Sequence, residues 1–192
     1  MGQITLERDS RMLPANALTI HRLIAENGWT YGAELGVRRG DFSAGLCKLN
    51  PSLKMIVVDL WAQVESMSEQ YDHEGNYRIA MEKLHAYKER VTIIRDLFEN
   101  AVMEVENTSL DFVYIDGTHT YVELLKDIRL WSRKVKSGGI VSGHDYHSAF
   151  DNGGVIRAIE ECFTSVSVDE YTSWYAWKAN LNLTDSTLSN GR

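Results

Sequence analysis

Five short runs of hydrophobic residues divide the chain into alternating segments of two kinds. The runs are rich in β-branched and aromatic side chains, which is typical of strands buried on both faces of a parallel sheet. They lie near residues 29–35, 54–59, 91–95, 110–115 and 139–143. Segments of helical periodicity separate the runs, and this repeated strand–helix order predicts an α/β fold with a doubly wound, mainly parallel sheet.

The clearest helical pattern follows the fourth run. Leu124, Ile128, Trp131 and Val135 are spaced by four, three and four residues, so they share one helix face. We expect the glycine pair at 138–139 to end this helix. Other helices are predicted over residues 14–27, 41–49, 77–90 and 154–163. Two further runs, predicted to form a C-terminal antiparallel hairpin, lie at residues 165–170 and 172–179.

A chain of 192 residues with this pattern is expected to form a single domain, which we place at residues 1–180. Residues 181–192 are polar and are expected to be a frayed tail. Residues 61–76 are too long and too polar for an ordinary connection. Long loops in compact domains are often lids or binding loops, so this segment is predicted to be a lid or a binding loop.

Composition and charge narrow the classes of partner. A net charge of −7 argues against nucleic acid, because binding to a phosphate backbone requires a basic face. No hydrophobic run approaches the ~20 residues of a membrane span, so a membrane is not an expected partner. Cys47 and Cys162 lie in helical patterns without a third partner. We interpret them as buried thiols in a reducing compartment and therefore expect a cytoplasmic location.

Side chains that can hold a metal or move a proton follow the fourth and fifth strands. Asp116 and His119 come after the fourth, and His144 and Asp145 come after the fifth. The carboxyl ends of neighbouring parallel strands meet at the edge where α/β proteins bind ligands, so we expect these four side chains to converge. Two histidines and two aspartates at adjacent strand ends indicate a functional site rather than a helix cap or a filled loop.

A second candidate site follows the first strand. The segment from Glu34 to Gly40, ELGVRRG, leads into a predicted helix, and its glycines would let the backbone approach a ligand. The GxGxxG and GxxxxGK(S/T) phosphate fingerprints are absent. Glu34 would repel a pyrophosphate and suits a ligand with a positively charged amine. The alternative is that this segment is only a tight strand–helix turn.

Acidic residues also follow the second and third strands. Asp59 lies roughly 20 residues beyond the glycine segment, where a doubly wound fold places the carboxylate that binds both ribose hydroxyls. Asp96 ends the third strand. The position of Asp59 favours a ligand-binding role for the glycine segment over a simple strand–helix turn.

These segments resemble the class I S-adenosylmethionine-dependent methyltransferases. ELGVRRG is similar to the first motif of that superfamily, (D/E)xGxxxG, and Asp59 and Asp96 are similar to its second and third acidic positions. More narrowly, ELGVRRGDFSA, FVYIDGTHTY and SGGIVSGHDY resemble the small-molecule O-methyltransferases of the macrocin, mycinamicin and CmcI type. The resemblance implies a Rossmann-like fold and transfer of a methyl group from S-adenosyl-L-methionine to a hydroxyl of a small molecule or sugar.

The resemblance also implies which residues would bind the cofactor. They are Glu34, Gly36, Gly40, Ser43, Asp59 and Asp96. The first four would surround the methionine part, with the serine near its carboxylate. The two aspartates would reach the ribose hydroxyls and the adenine amine.

In the sugar enzymes, the acid matching Asp116 binds Mg²⁺, and the histidine matching His119 is the general base. An acidic pair matching His144 and Asp145 completes that metal site. The present chain departs from the pattern because His144 replaces the first acid of the pair. Magnesium prefers oxygen ligands, whereas imidazole suits Mn²⁺, Fe²⁺ or Zn²⁺ better. Either His144 is not a ligand, or the metal is softer than Mg²⁺, or metal dependence has been lost.

Two other classes of function stay open. A metal-dependent hydrolase could use the same Asp/His cluster without needing the glycine segment or Asp59. A non-catalytic module could keep the cofactor fold and lack turnover. An NAD-dependent dehydrogenase is disfavoured because the pyrophosphate fingerprint is missing. The expected partner is a small hydroxylated acceptor, and a homo-oligomer is left open.

Overall fold

A computed structural model of the chain describes residues 14–63, 71–147 and 149–182. Within these ranges, a seven-stranded sheet forms the centre of the domain, with helices on both faces. The strands are β1 (Tyr31–Leu35), β2 (Lys54–Val58), β3 (Val91–Ile94), β4 (Leu110–Ile115), β5 (Val135–Gly143), β6 (Ser167–Val168) and β7 (Trp174–Trp177). The α-helices are α1 (Leu18–Asn27), α2 (Asp41–Leu49), α3 (His73–His85), α4 (Phe98–Ala101), α5 (Tyr121–Trp131) and α6 (Gly154–Cys162).

The strands are arranged in the order β3-β2-β1-β4-β5-β7-β6. The first five are parallel, and β7 and β6 are antiparallel additions at the β5 edge. The chain reverses direction across the sheet between β1 and β4, which is where ligands bind in doubly wound folds. The predicted fold class, a Rossmann-like parallel sheet with a C-terminal antiparallel hairpin, is confirmed.

Side chains alternate between two hydrophobic cores, one on each face of the sheet. Strand residues of the first core pack against α4, α5 and α6, and include Leu35, Val58, Val113 and Ile115. Strand residues of the second core pack against α1, α2 and α3, and include Met55, Val57, Phe112 and Tyr114. Burial on both faces explains why the strands read as nearly continuous hydrophobic runs.

The third helix differs from its prediction over residues 77–90. Asp72 caps the helix by accepting a hydrogen bond from Gly75 N at 2.9 Å, so α3 begins at His73. Residues 73–76, expected to belong to a long loop, are therefore helical, and residues 86–90 form turns after the helix. Residues 64–70 of the predicted binding loop lie outside the described residues.

The predicted extension of the fifth helix to residue 135 is wrong. The helix ends at Trp131, a 3-10 turn follows over Ser132–Lys134, and Val135 already pairs with Leu110 as the start of β5. The register then shifts, and Phe112 pairs with Ile140. The glycine pair at 138–139 therefore lies in a bulge within a strand and does not end the helix.

The last described residues are attached to the domain. Leu181 pairs with Phe163 in an isolated bridge, and Asn182 N donates to Cys162 O at 2.7 Å. These two residues are attached to the domain, whereas residues 183–192 of the predicted tail lie outside the described part. Cys47 and Cys162 are free and buried, as predicted. Within the described ranges, every helix is too short or too polar to cross a membrane.

Candidate active site

The structure brings the four predicted Asp and His side chains together at the carboxyl ends of β4 and β5. His119 Nε2 lies 2.7 Å from Asp145 Oδ2 and 3.9 Å from Asp116 Oδ1. His144 Nδ1 lies 3.2 Å from Asp145 Oδ1. His119 does not cap the helix that follows, because Thr120 occupies the N-cap position of α5. The cluster is therefore a meeting point of two strand ends, as the parallel register predicts.

Three of these residues offer a set of metal ligands. One ligand atom from each of Asp116, His144 and Asp145 lies within 4.8 Å of the others. Two carboxylates and an imidazole are donors that divalent ions accept. His119 Nε2 is shielded from solvent and forms no well-aligned hydrogen bond with the described residues. A buried nitrogen beside two carboxylates fits a site completed by an ion or by a substrate hydroxyl.

Charge within the cluster shifts its proton equilibria. The carboxylates of Asp116 and Asp145 raise the pKa of His119 to about 9. Asp145 likewise raises the pKa of His144. Burial opposes ionisation of Asp145, but its contacts with His119 and His144 outweigh burial and hold the pKa of this carboxyl well below its ordinary value. Without a bound cation, the cluster therefore keeps His119 protonated at neutral pH.

Two members of this site were missed by sequence reasoning. His147 Nε2 lies 3.2 Å from Asp145 Oδ1, and Phe150 stacks on the His119 ring at a centroid distance of 4.5 Å and an angle of 18°. The position of His147, two residues after Asp145, was a usable signal. Phe150 had no such signal, because the fold of its loop decides which ring it contacts.

The glycine segment lies at the adjacent strand end. Gly36 has φ +89°, and a Cβ there would lie 1.9 Å from the carbonyl oxygen of Asp116. A glycine is thus required at position 36 because the backbone of Asp116 approaches it closely. Gly40, with φ +74°, is the N-cap residue of α2. Gly36 therefore allows the first motif to pack directly against the strand end that carries Asp116.

Glu34 and Ser43 form a buried pair beneath this loop. Ser43 Oγ donates a hydrogen bond to Glu34 Oε2, and the two residues are 0% and 3% exposed, respectively. Burial is the main reason why the pKa of Glu34 is raised well above its ordinary value. The Ser43 hydroxyl is engaged in holding Glu34, and its direct contact with a cofactor carboxylate stays a prediction.

The side chain of Asp59 binds the backbone of the same loop. Asp59 Oδ2 accepts from Val37 N at 2.9 Å and from Arg38 N at 2.8 Å, and Oδ1 accepts from Trp61 N at 2.7 Å. A carboxylate has about four acceptor positions, so the hydrogen bonds from the described residues leave one position on Oδ1. Trp61 also donates its indole N–H to Arg38 O at 2.8 Å, which attaches this residue to the loop.

Asp96 has a local role in the structure. Its Oδ1 accepts from Leu97 N at 2.7 Å and from Asn100 Nδ2 at 2.8 Å, which orients the start of α4. Its contact with an adenine amine stays a prediction.

The sequence of residues 33–146 matches the family described as Methyltransferase domain. The match covers more than half of the chain and includes the glycine loop, Asp59, Asp96 and the four predicted Asp and His residues of the cluster. The chain belongs to this methyltransferase family. The predicted enzyme class is therefore confirmed, whereas the macrocin and CmcI subgroup stays a prediction. The hydrolase alternative is not favoured by this match.

One curated relative of this methyltransferase is the protein y4gI from Sinorhizobium fredii (strain NBRC 101917 / NGR234). The two are 24% identical over 132 residues, which is 69% of this chain. The chain spans only 14% of the length of that relative.

Solved structures agree on the fold. An O-methyltransferase from Bacillus cereus in complex with SAH has a TM-score of 0.62 and 16% identity, over 91% of this chain and 90% of that chain. A SAM-dependent O-methyltransferase from Thermotoga maritima has a TM-score of 0.57 and 17% identity, over 82% and 53% of the two chains. A spermidine synthase from the same organism has a TM-score of 0.60 and 15% identity, over 95% and 65%. Because a synthase shares the architecture, this likeness shows the fold alone.

Proposed function

We propose that this methyltransferase transfers the methyl group of S-adenosyl-L-methionine to a hydroxyl of a small molecule or sugar, with His119 as general base and with assistance from a divalent ion. The observation that carries the proposal is the position of His119 between Asp116 and Asp145, one strand away from the glycine loop. Methyl donor and hydroxyl acceptor would then meet at the carboxyl ends of β1 and β4.

The cofactor would lie along the glycine loop. Its ammonium group is complementary to Glu34, the acid that ends the first strand. Its ribose would use the acceptor position of Asp59 that the described residues leave unused, whereas the other positions hold the loop. Asp96 Oδ2 is left for the adenine amine, because the two hydrogen bonds that this carboxylate accepts from described residues use Oδ1. In this proposal Gly36 and Gly40 shape the loop, and Ser43 acts through Glu34.

Methyl transfer from a sulfonium is an in-line displacement, so the protein must align the two reactants and remove the hydroxyl proton. An alcohol is a weak nucleophile unless a base accepts its proton as the new bond forms. A histidine in hydrogen-bond reach contributes about 10²–10⁴-fold to such a step. The buried Nε2 of His119 is the atom that we assign to this proton transfer.

The residues present fit a divalent ion, which Asp116, His144 and Asp145 would hold. Such an ion, Mg²⁺ or Mn²⁺, would lower the pKa of the acceptor hydroxyl and fix its orientation. The same positive charge would compensate both carboxylates beside His119. The raised pKa of the His119 imidazole would then fall, and the ring could act as a base at neutral pH.

The experiment that tests this function supplies S-adenosylmethionine, Mn²⁺ or Mg²⁺, and a panel of hydroxylated acceptors that includes sugars, catechols and simple phenols. We expect S-adenosylhomocysteine and a product heavier by one methylene group to form in equal amounts, and added chelator to suppress both. Cofactor binding without product on any acceptor would support the non-catalytic alternative and contradict the proposal.

A further inference from the structure

Three histidines surround Asp145, and their ring nitrogens have different partners. His147 Nδ1 accepts from Ala149 N at 3.2 Å, so its Nε2 carries the hydrogen that faces Asp145 Oδ1. His119 Nε2 faces Asp145 Oδ2. His144 differs from both, because its Nε2 contacts a backbone carbonyl outside the cluster. Of the three histidines, only His144 directs Nδ1 toward Asp145 while its Nε2 faces a backbone carbonyl oxygen.

The outer contact of His144 decides which nitrogen is protonated. His144 Nε2 lies 3.0 Å from Tyr171 O, and a carbonyl oxygen can only accept, so Nε2 carries a hydrogen. Nδ1 of the neutral ring then keeps its lone pair, 3.2 Å from the carboxylate oxygen Asp145 Oδ1. Two electron-rich atoms at this distance require a positive charge on or between them. Metal-binding histidines commonly have this arrangement, with the distal N–H bound to a carbonyl.

Asp169 stabilises the turn that directs the Tyr171 carbonyl toward His144. Asp169 Oδ1 accepts from Tyr171 N and Ser173 N, each at 2.9 Å. Its Oδ2 accepts from the Thr19 hydroxyl of α1 at 2.7 Å. The turn lies between β6 and β7, so the terminal hairpin and the first helix jointly fix the orientation of the His144 ring.

We infer that His144 is a nitrogen ligand of the divalent ion, presented through Nδ1 by the Asp169 turn, so that the site favours a first-row transition-metal ion over Mg²⁺. The inference rests on the metal-assisted form of the proposed function. Imidazole is a good ligand for such ions, whereas Mg²⁺ prefers oxygen. Comparing the affinities of the site for different metal ions would test this inference poorly, because transition-metal ions follow a common order of affinity at many kinds of site. Direct detection of a metal–nitrogen bond is the better test.

The test uses the full chain loaded with Mn²⁺ and pulsed electron paramagnetic resonance. We expect the ¹⁴N coupling of a directly bound imidazole in the wild type. His144→Asp, which supplies a carboxylate instead, should bind Mn²⁺ without that coupling, whereas His147→Gln and His119→Gln should keep it. Wild-type protein that binds no Mn²⁺, or binds it without nitrogen coupling, would overturn the inference, as would loss of coupling only in the His147 or His119 variant.

The role of the turn is tested with two variants that each remove one negative charge. Asp169→Asn should weaken Mn²⁺ binding by roughly 10–100-fold, as is usual for groups that orient a metal ligand. Glu170→Gln, in the same turn, should leave Mn²⁺ affinity unchanged. Equal losses in both variants would indicate general electrostatics and contradict the positioning role.

Cofactor binding, measured on the same samples, separates the two proposals. If S-adenosylhomocysteine binds but His144 gives no nitrogen coupling, this inference alone fails. If S-adenosylhomocysteine does not bind, the proposed function fails, whatever the metal does.

Discussion

Glu34 shows how burial can make ligand binding depend on pH. The side chain is 3% exposed, and burial raises the pKa of its carboxyl well above the ordinary value. A neutral carboxyl cannot complement the cofactor's ammonium group, so binding would require Glu34 to lose its proton. In the proposed site, the cofactor and the proton would therefore compete for the same carboxylate.

We predict that affinity for S-adenosylhomocysteine rises with pH by up to about tenfold per unit while Glu34 is mostly protonated. Calorimetry in buffers of different ionisation enthalpy would detect the released proton. Glu34→Gln is isosteric and cannot ionise, so it should bind more weakly and lose this pH dependence. An unchanged pH slope in the Gln variant would assign the proton to another group.

His119 is the residue on which the proposed chemistry depends. His119→Ala should leave affinity for S-adenosylhomocysteine nearly unchanged and lower kcat by about 10²–10⁴-fold, because a general base is lost while the cofactor loop is intact. His85→Ala, at an exposed position on α3, is the matched control and should keep full turnover. Steady-state kinetics would decide, and an unaltered kcat in the His119 variant would remove this residue from the mechanism.

At the scale of elements, burial of Asp127 in α5 costs free energy when its carboxyl is ionised. The carboxyl is 3% exposed, and burial raises its pKa to about 7, with Lys126 opposing the shift and Glu123 and Glu99 adding to it. An unfolded aspartate has a pKa near ~3.9. Between these values the folded state binds more protons than the unfolded state, so this group's contribution to stability is lost as pH rises from about 4 to about 7.

We predict that Asp127→Asn stabilises the protein by roughly 1–3 kcal/mol at about pH 8, and that the gain disappears toward about pH 4. Urea unfolding of both proteins across this range gives the difference directly. Glu123→Gln, a half-exposed position on the same helix, should change stability by less than about 1 kcal/mol. A gain from Asp127→Asn that does not vary with pH would exclude titration of this carboxyl as its cause.

Two elements show where local sequence signals compete. Asp72 is a good N-cap residue, and its presence moves the start of α3 into the segment expected to be a loop. The glycine pair at 138–139 was expected to end a helix, but it lies within a strand. There Gly139 allows close packing, because a Cβ on it would lie 2.3 Å from Asp111 O. A glycine after a hydrophobic run is typical both of a helix C-terminus and of a closely packed strand position. Only the neighbouring strand distinguishes the two.

For the whole molecule, the strand positions and the parallel topology could be predicted because the strands are buried on both faces and leave a clear hydrophobic pattern. The meeting of Asp116 with Asp145 followed from that topology alone. The contacts of Asp59 could not be predicted in this way. Its hydrogen bonds to Val37 N and Arg38 N depend on the backbone path of a loop from a different strand. The stacking of Phe150 on His119 likewise depends on loop conformation.

The most direct test of the central claim, a cofactor site beside the Asp/His cluster, is native mass spectrometry of the full chain with S-adenosylhomocysteine and Mn²⁺. We predict one nucleoside and one ion per chain, with the ion lost and the nucleoside kept in Asp116→Ala. A chain that retains the ion but never binds the nucleoside would contradict the account.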